Sequence, residues 1–114
     1  MLYHPDVFLP EWFTMPTERV ELKYTKHALY ACNNDRYGAI PVFKSLPLSQ
    51  FRLVEMEAAH QEVNKIVVRG RLRAGMDCVF VLIPGGKYLV KTVWLNKSDD
   101  THKTLDRSRY CGTP

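Results

Sequence analysis

After Asp77 the chain runs Cys78-Val79-Phe80-Val81-Leu82-Ile83 without a charged or amide side chain. A half-buried strand alternates and leaves one face to water. This run has no polar face to leave, so it predicts a central strand buried on both sides. Pro84-Gly85-Gly86-Lys87 then supplies a tight turn, and Tyr88-Leu89-Val90-Lys91-Thr92-Val93-Trp94-Leu95 returns as the partner strand. The glycines are read as hairpin chemistry, because a phosphate-cradling loop needs the longer Walker spacing closed by Lys-Ser or Lys-Thr.

The strand before it has the clearest pattern in the chain. In Lys65-Ile66-Val67-Val68-Arg69-Gly70-Arg71-Leu72-Arg73, a period of two puts Ile66, Val68 and Leu72 on one face and Arg69, Arg71 and Arg73 on the other. Guanidinium groups about 7 Å apart along one face match successive phosphates of a nucleic-acid backbone. The alternative is a solvated face whose arginines pair with Glu55 and Glu57 across the sheet. Those glutamates lie in Phe51-Arg52-Leu53-Val54-Glu55-Met56-Glu57-Ala58, a strand that a short helix could mimic because its apolar residues do not alternate cleanly. Residues 59–64 form the hairpin connection.

Upstream, Arg19-Val20-Glu21-Leu22-Lys23-Tyr24 alternates and directs Val20, Leu22 and Tyr24 inward. Thr25 is placed to cap a helix through Lys26-His27-Ala28-Leu29-Tyr30-Ala31-Cys32, ended by left-handed conformations at Asn33-Asn34 and Gly38. His27 falls in the first turn, where the positive end of the helix dipole disfavours imidazolium and leaves a base able to accept a proton; packing or capping is the alternative role. The segment from Asp35 through Pro41 to Pro47 is turn-rich and is read as a loop.

The ends of the chain differ in kind. Residues 1–18 carry Tyr3, Phe8, Trp12 and Phe13 between Pro5, Pro10 and Pro16, which predicts an irregular arm laid on the domain or on another subunit, with a turn at Pro10-Glu11-Trp12-Phe13. After Asn96, Ser98 or Asp99 could cap a short helix that sets His102 and Asp106 one turn apart, a carboxylate-imidazole pair suited to a general acid. Asp99, Asp100 and His102 could instead take a divalent metal, but their spacing is not diagnostic, and neither a metal nor a cofactor is assigned.

At 114 residues and 46% hydrophobic content the chain suits one α+β domain spanning 19–110, an antiparallel meander with the early helix packed on one face, followed by a tail at 111–114. Cys32, Cys78 and Cys111 are odd in number and widely spaced, which fits reduced thiols in a cytoplasmic protein; no stretch is read as a signal peptide or a membrane span. A net charge of +4 permits RNA or another anionic partner.

Tyr24-Thr25-Lys26-His27-Ala28 leading a helix, then a meander with an arginine strand, then Lys91-Thr92-Val93 closing the sheet resembles the small RelE/BrnT-like toxin domains over residues 19–95. The resemblance implies a metal-free ribonuclease fold, an inhibitor or antitoxin partner, and functional positions at His27, Arg69 and Lys91. The closing block Thr92-Val93-Trp94-Leu95-Asn96 with Asp100 to Asp106 and Tyr110 departs from that pattern and is similar to small phage-encoded proteins. Metal-free RNA cleavage needs a base, cations at the phosphorane and an acid for the leaving oxygen. His27 is the expected base, Arg69 and Arg71 with Lys91 the clamp, and His102 the acid; Arg73 extends the phosphate row, and Trp94 or Tyr110 could stack a base. Two non-catalytic classes compete: a module that only binds nucleic acid or an acidic protein through Arg69, Arg71, Arg73 and Lys91, and a phage accessory or structural protein that oligomerises or docks through the aromatic arm.

Overall fold

The computed structural model describes residues 1–5 and 8–100. In chain order it holds β1 (Leu2–Tyr3), β2 (Arg19–Tyr24), α1 (Lys26–Asn34), β3 (Ser45–Pro47), β4 (Arg52–Ala59), β5 (Glu62–Arg73), β6 (Met76–Ile83) and β7 (Tyr88–Lys97). The strands make one sheet in the order β1-β4-β5-β6-β7-β2-β3. A Cα radius of gyration of 13.4 Å matches one folded unit of this length, about 13 Å.

β6 is central, as its composition requires. Cys78, Phe80 and Leu82 enter the main core with Ile66 and Val68 of β5 and Val90, Val93 and Leu95 of β7. Val79 and Val81 face the other way, into a smaller cluster with Val67 and Trp94. β4, β5, β6 and β7 pair in sequence, each antiparallel to the next. β2 departs from the expected antiparallel scheme and runs parallel to β7, with Leu22 opposite Tyr88 and Tyr24 opposite Val90.

The reason lies in the residues immediately after β2. Thr25 donates its N–H to Val90 O, its hydroxyl lies 3.1 Å from Lys91 O, and its Oγ1 accepts from Ala28 N, so one residue both caps α1 and ties it to the β7 edge. Ala28 and Cys32 of α1 are buried in the main core. Where the helix ends, Asp35 Oδ1 accepts Leu95 N at 3.1 Å, so the C-cap of α1 is tied to β7 beyond the point where β2 leaves it. Asn33 and Asn34 stay helical and donate their side-chain amides back to Leu29 O and Tyr30 O; of the expected left-handed residues only Gly38, at φ +118°, has a positive φ.

Three further boundaries differ from the sequence-based expectation. The 35–47 loop closes with β3, which pairs antiparallel with β2. The β4–β5 connection shortens from residues 59–64 to His60 and Gln61, both at positive φ, as a tight two-residue hairpin turn demands. In the arm, Leu2 and Tyr3 add an edge strand beside Glu57 and Met56, while Phe13 packs on the core and closes a turn onto Pro10 O. Within β5, Gly70 is required by close approach: a Cβ there would lie 2.7 Å from the Phe51 ring.

Candidate nucleic-acid interface

The expected arginine row separates into three environments. Arg69 is 4% exposed; its Nε donates to Asp77 Oδ2 at 2.7 Å and its Nη2 to Lys97 O at 2.9 Å. Arg71, opposite Asp77 in the register, is exposed, and its Nε stays 3.9 Å from Asp77 Oδ1. Ser98 Oγ donates to that same oxygen at 2.6 Å. Burial alone would raise the Asp77 carboxyl, but the hydrogen bonds from Ser98 and Arg69 and the charges of Arg69 and Arg71 outweigh it and hold it below its ordinary value. Asp77 thus takes the place expected for Glu55 and Glu57, which lie 3.9 Å from Lys65. Arg69 is a buried structural cation.

Arg73 is turned elsewhere by a register shift between Arg71 and Arg73, where the bulge breaks the period of two. It pairs with Met76, and its Nη2 donates to Tyr37 O at 3.3 Å. Tyr37 is half-buried against the core and gathers two more cations: the Arg36 guanidinium 4.8 Å and the Lys97 ammonium 5.9 Å from its ring centroid. These are cation–π distances. Asp35 fixes the ring's backbone, since its Oδ2 accepts Tyr37 N at 3.0 Å. Arg36, Arg73 and Lys97 are all exposed, and none forms an ion pair with a carboxylate among the described residues. Like charges this close repel, so the arrangement suits an anion that would neutralise them.

The other expected positions do not join this cluster. His27 is exposed at the start of α1, beside the Thr25–Lys91 contact. Lys91 is exposed on β7 six positions before Lys97, roughly 20 Å at the rise of a strand. Trp94 is buried in the second cluster. His102, Asp106 and Tyr110 lie outside the described residues, as does part of the Asp99, Asp100 and His102 group. Among the described residues no three His, Cys, Asp or Glu side chains gather as a metal site, and no helix is long and apolar enough to cross a membrane. Burial pushes the Cys78 thiol up to about 12, helped by the Asp77 charge, and burial also raises Cys32, which suits both to packing.

Arg36, Tyr37 and Lys97 were not singled out from the sequence. Their signal was present, an Arg-Tyr pair in a turn-rich loop and a lysine closing a strand, but only the fold brings residues 36, 73 and 97 together. No family model matches the chain, and no curated protein or solved structure matches it either.

Proposed function

We propose that the protein binds RNA through the Arg36, Arg73 and Lys97 cluster, with Arg71 on the other face of the same hairpin end. The observation that carries the reading is the convergence of three exposed cations on Tyr37 with no carboxylate paired to them among the described residues. Guanidinium and ammonium groups held in one place suit phosphate oxygens, and the protein's net charge of +4 favours approach of a polyanion. The β4–β7 meander, with α1 placed on one face of the sheet, is the scaffold of this reading, and β2 joins it in parallel beside β7. Metal-independent cleavage is the stronger form of the proposal, with His27 as the base that the RelE/BrnT-like resemblance implies and His102 as the acid that metal-free cleavage requires.

The test is fluorescence anisotropy of a labelled mixed-sequence RNA at several salt concentrations in EDTA, with the same samples run on a denaturing gel. Arg36→Ala, Arg73→Ala and Lys97→Ala should each weaken binding and reduce the slope of log K against log salt by about 0.7, the value for one single-strand phosphate contact. Lys91→Ala, at the far end of β7, should leave the slope unchanged. Cutting that is lost in His27→Ala and His102→Ala would establish the nuclease form; binding without cutting would retire it. Indifference of the RNA to all three cluster variants would refute the interface.

A second reading rests on the arm, where Phe8 is 59% and Trp12 38% exposed while Phe13 beside them is packed. Exposed aromatics are anchors for a protein partner. If RNA does not bind at all, deletion of residues 1–13 and measurement of oligomeric state by light scattering would be the next test.

A further inference from the structure

Resting on the RNA-binding reading, we infer that the outer face of α1 extends the cation cluster into a site for single-stranded RNA, with Tyr30 stacking an unpaired base. Tyr30 is 60% exposed, unusual for an aromatic ring on the only α-helix among the described residues. It stands one turn before Asn34, about 6 Å along the axis, and Asn34 Nδ2 donates to its carbonyl at 2.8 Å. Arg36 lies two residues later with its guanidinium over Tyr37. The chain therefore presents in order an open aromatic face, two exposed amides at Asn33 and Asn34, and the cluster of Arg36, Arg73 and Lys97.

That order matches the parts of a single strand. Phosphates take the cations, while a splayed base stacks on an aromatic ring. Asn33 and Asn34 each spend one amide N–H on a helix carbonyl, which fixes the side chain and leaves the Oδ1 acceptor and the second N–H for a base edge. A duplex keeps its bases stacked within itself and offers Tyr30 nothing. Charge complementarity selects RNA over an apolar protein partner for this face, because the helix that carries Tyr30 runs through Asn34 into the segment holding Arg36, and the cluster of Arg36, Arg73 and Lys97 carries no ion pair among the described residues.

The experiment compares a single-stranded RNA containing 2-aminopurine with its duplex, using wild type, Tyr30→Phe, Tyr30→Ala and Arg73→Ala. Tyr30→Ala should weaken single-strand binding roughly fivefold, the low end of one base–aromatic stack, and abolish quenching of 2-aminopurine. Tyr30→Phe should behave as wild type, and duplex binding should be weaker and unaffected by either change. Because Tyr30 is exposed, the thermal midpoints should coincide. Unchanged single-strand affinity in Tyr30→Ala alongside a loss in Arg73→Ala would overturn this inference and leave the cluster standing. Equal losses for single strand and duplex in Tyr30→Ala would also overturn it. Indifference to Arg73→Ala would overturn the cluster and this site together.

Discussion

Arg69 and Asp77, on adjoining strands, hold each other at 2.7 Å within the sheet, the guanidinium side chain 3% exposed and the carboxylate 14%. Removing one partner of such a pair leaves the other charge buried and uncompensated, which costs far more than the net worth of the pair. Arg69→Met should therefore lower stability by about 3 kcal/mol in urea denaturation. Arg69→Met combined with Asp77→Leu should recover most of that loss. A double variant as unstable as the sum of the singles would show that the two residues do not act as a unit.

The same pair sets an acid limit. Folding holds the Asp77 carboxyl below its ordinary value, so the folded state favours the ionised form. This contribution to stability is fully present above the unfolded value, about 4, and is lost as pH falls through the lower folded value. Stability measured from pH 6 down to pH 2 should fall in wild type, and Asp77→Asn should flatten that fall even though it starts from a lower plateau. An identical acid limb in both proteins would place the pH dependence on other carboxylates.

Arg69 also marks how far the sequence could be read. The apolar run at Cys78 to Ile83 identified β6 and its two-sided burial, because a strand without polar positions has one stable environment. Thr25 was legible as the α1 cap for a similar reason, since capping is a local relation between an oxygen and an N–H three residues on. The arginine row was not legible. A strict period of two assumes an unbroken ladder, and the bulge between Arg71 and Arg73 is fixed by pairing with β6. Nor does sequence spacing show that Asp77, from the next strand, lies against Arg69. The cluster at Tyr37 depends on contacts across 36 residues to Arg73, a separation at which no periodicity carries information.

Gly70 tests the packing of the main core. A Cβ there would lie 2.7, 2.8 and 3.0 Å from three atoms of the Phe51 ring, closer than van der Waals contact, and Phe51 is itself set edge-on to Phe80 at 6.0 Å. The ring cannot retreat without disturbing Phe80. Gly70→Ala should therefore cost about 1–3 kcal/mol, and pairing it with Phe51→Leu should reduce the penalty in a double-mutant cycle. Additive losses would mean that the backbone, not the ring, absorbs the methyl group.

Asp35 links fold stability to the proposed interface. One carboxylate oxygen accepts Leu95 N on β7 and the other accepts Tyr37 N, so the residue that satisfies a strand edge also positions the ring holding Arg36 and Lys97. Its charge opposes RNA while its geometry favours it, and two substitutions separate these effects. Asp35→Asn and Asp35→Ala remove the same charge, but only asparagine retains a side-chain acceptor. Asp35→Ala should cost about 1–2 kcal/mol for the orphaned N–H groups and bind RNA more weakly than Asp35→Asn, in the anisotropy assay at one fixed salt concentration. Equal affinity of the two variants would show that the cations reach phosphate without Tyr37 held in place. A weaker asparagine variant would mean that the carboxylate itself has a role in binding beyond its hydrogen bonds.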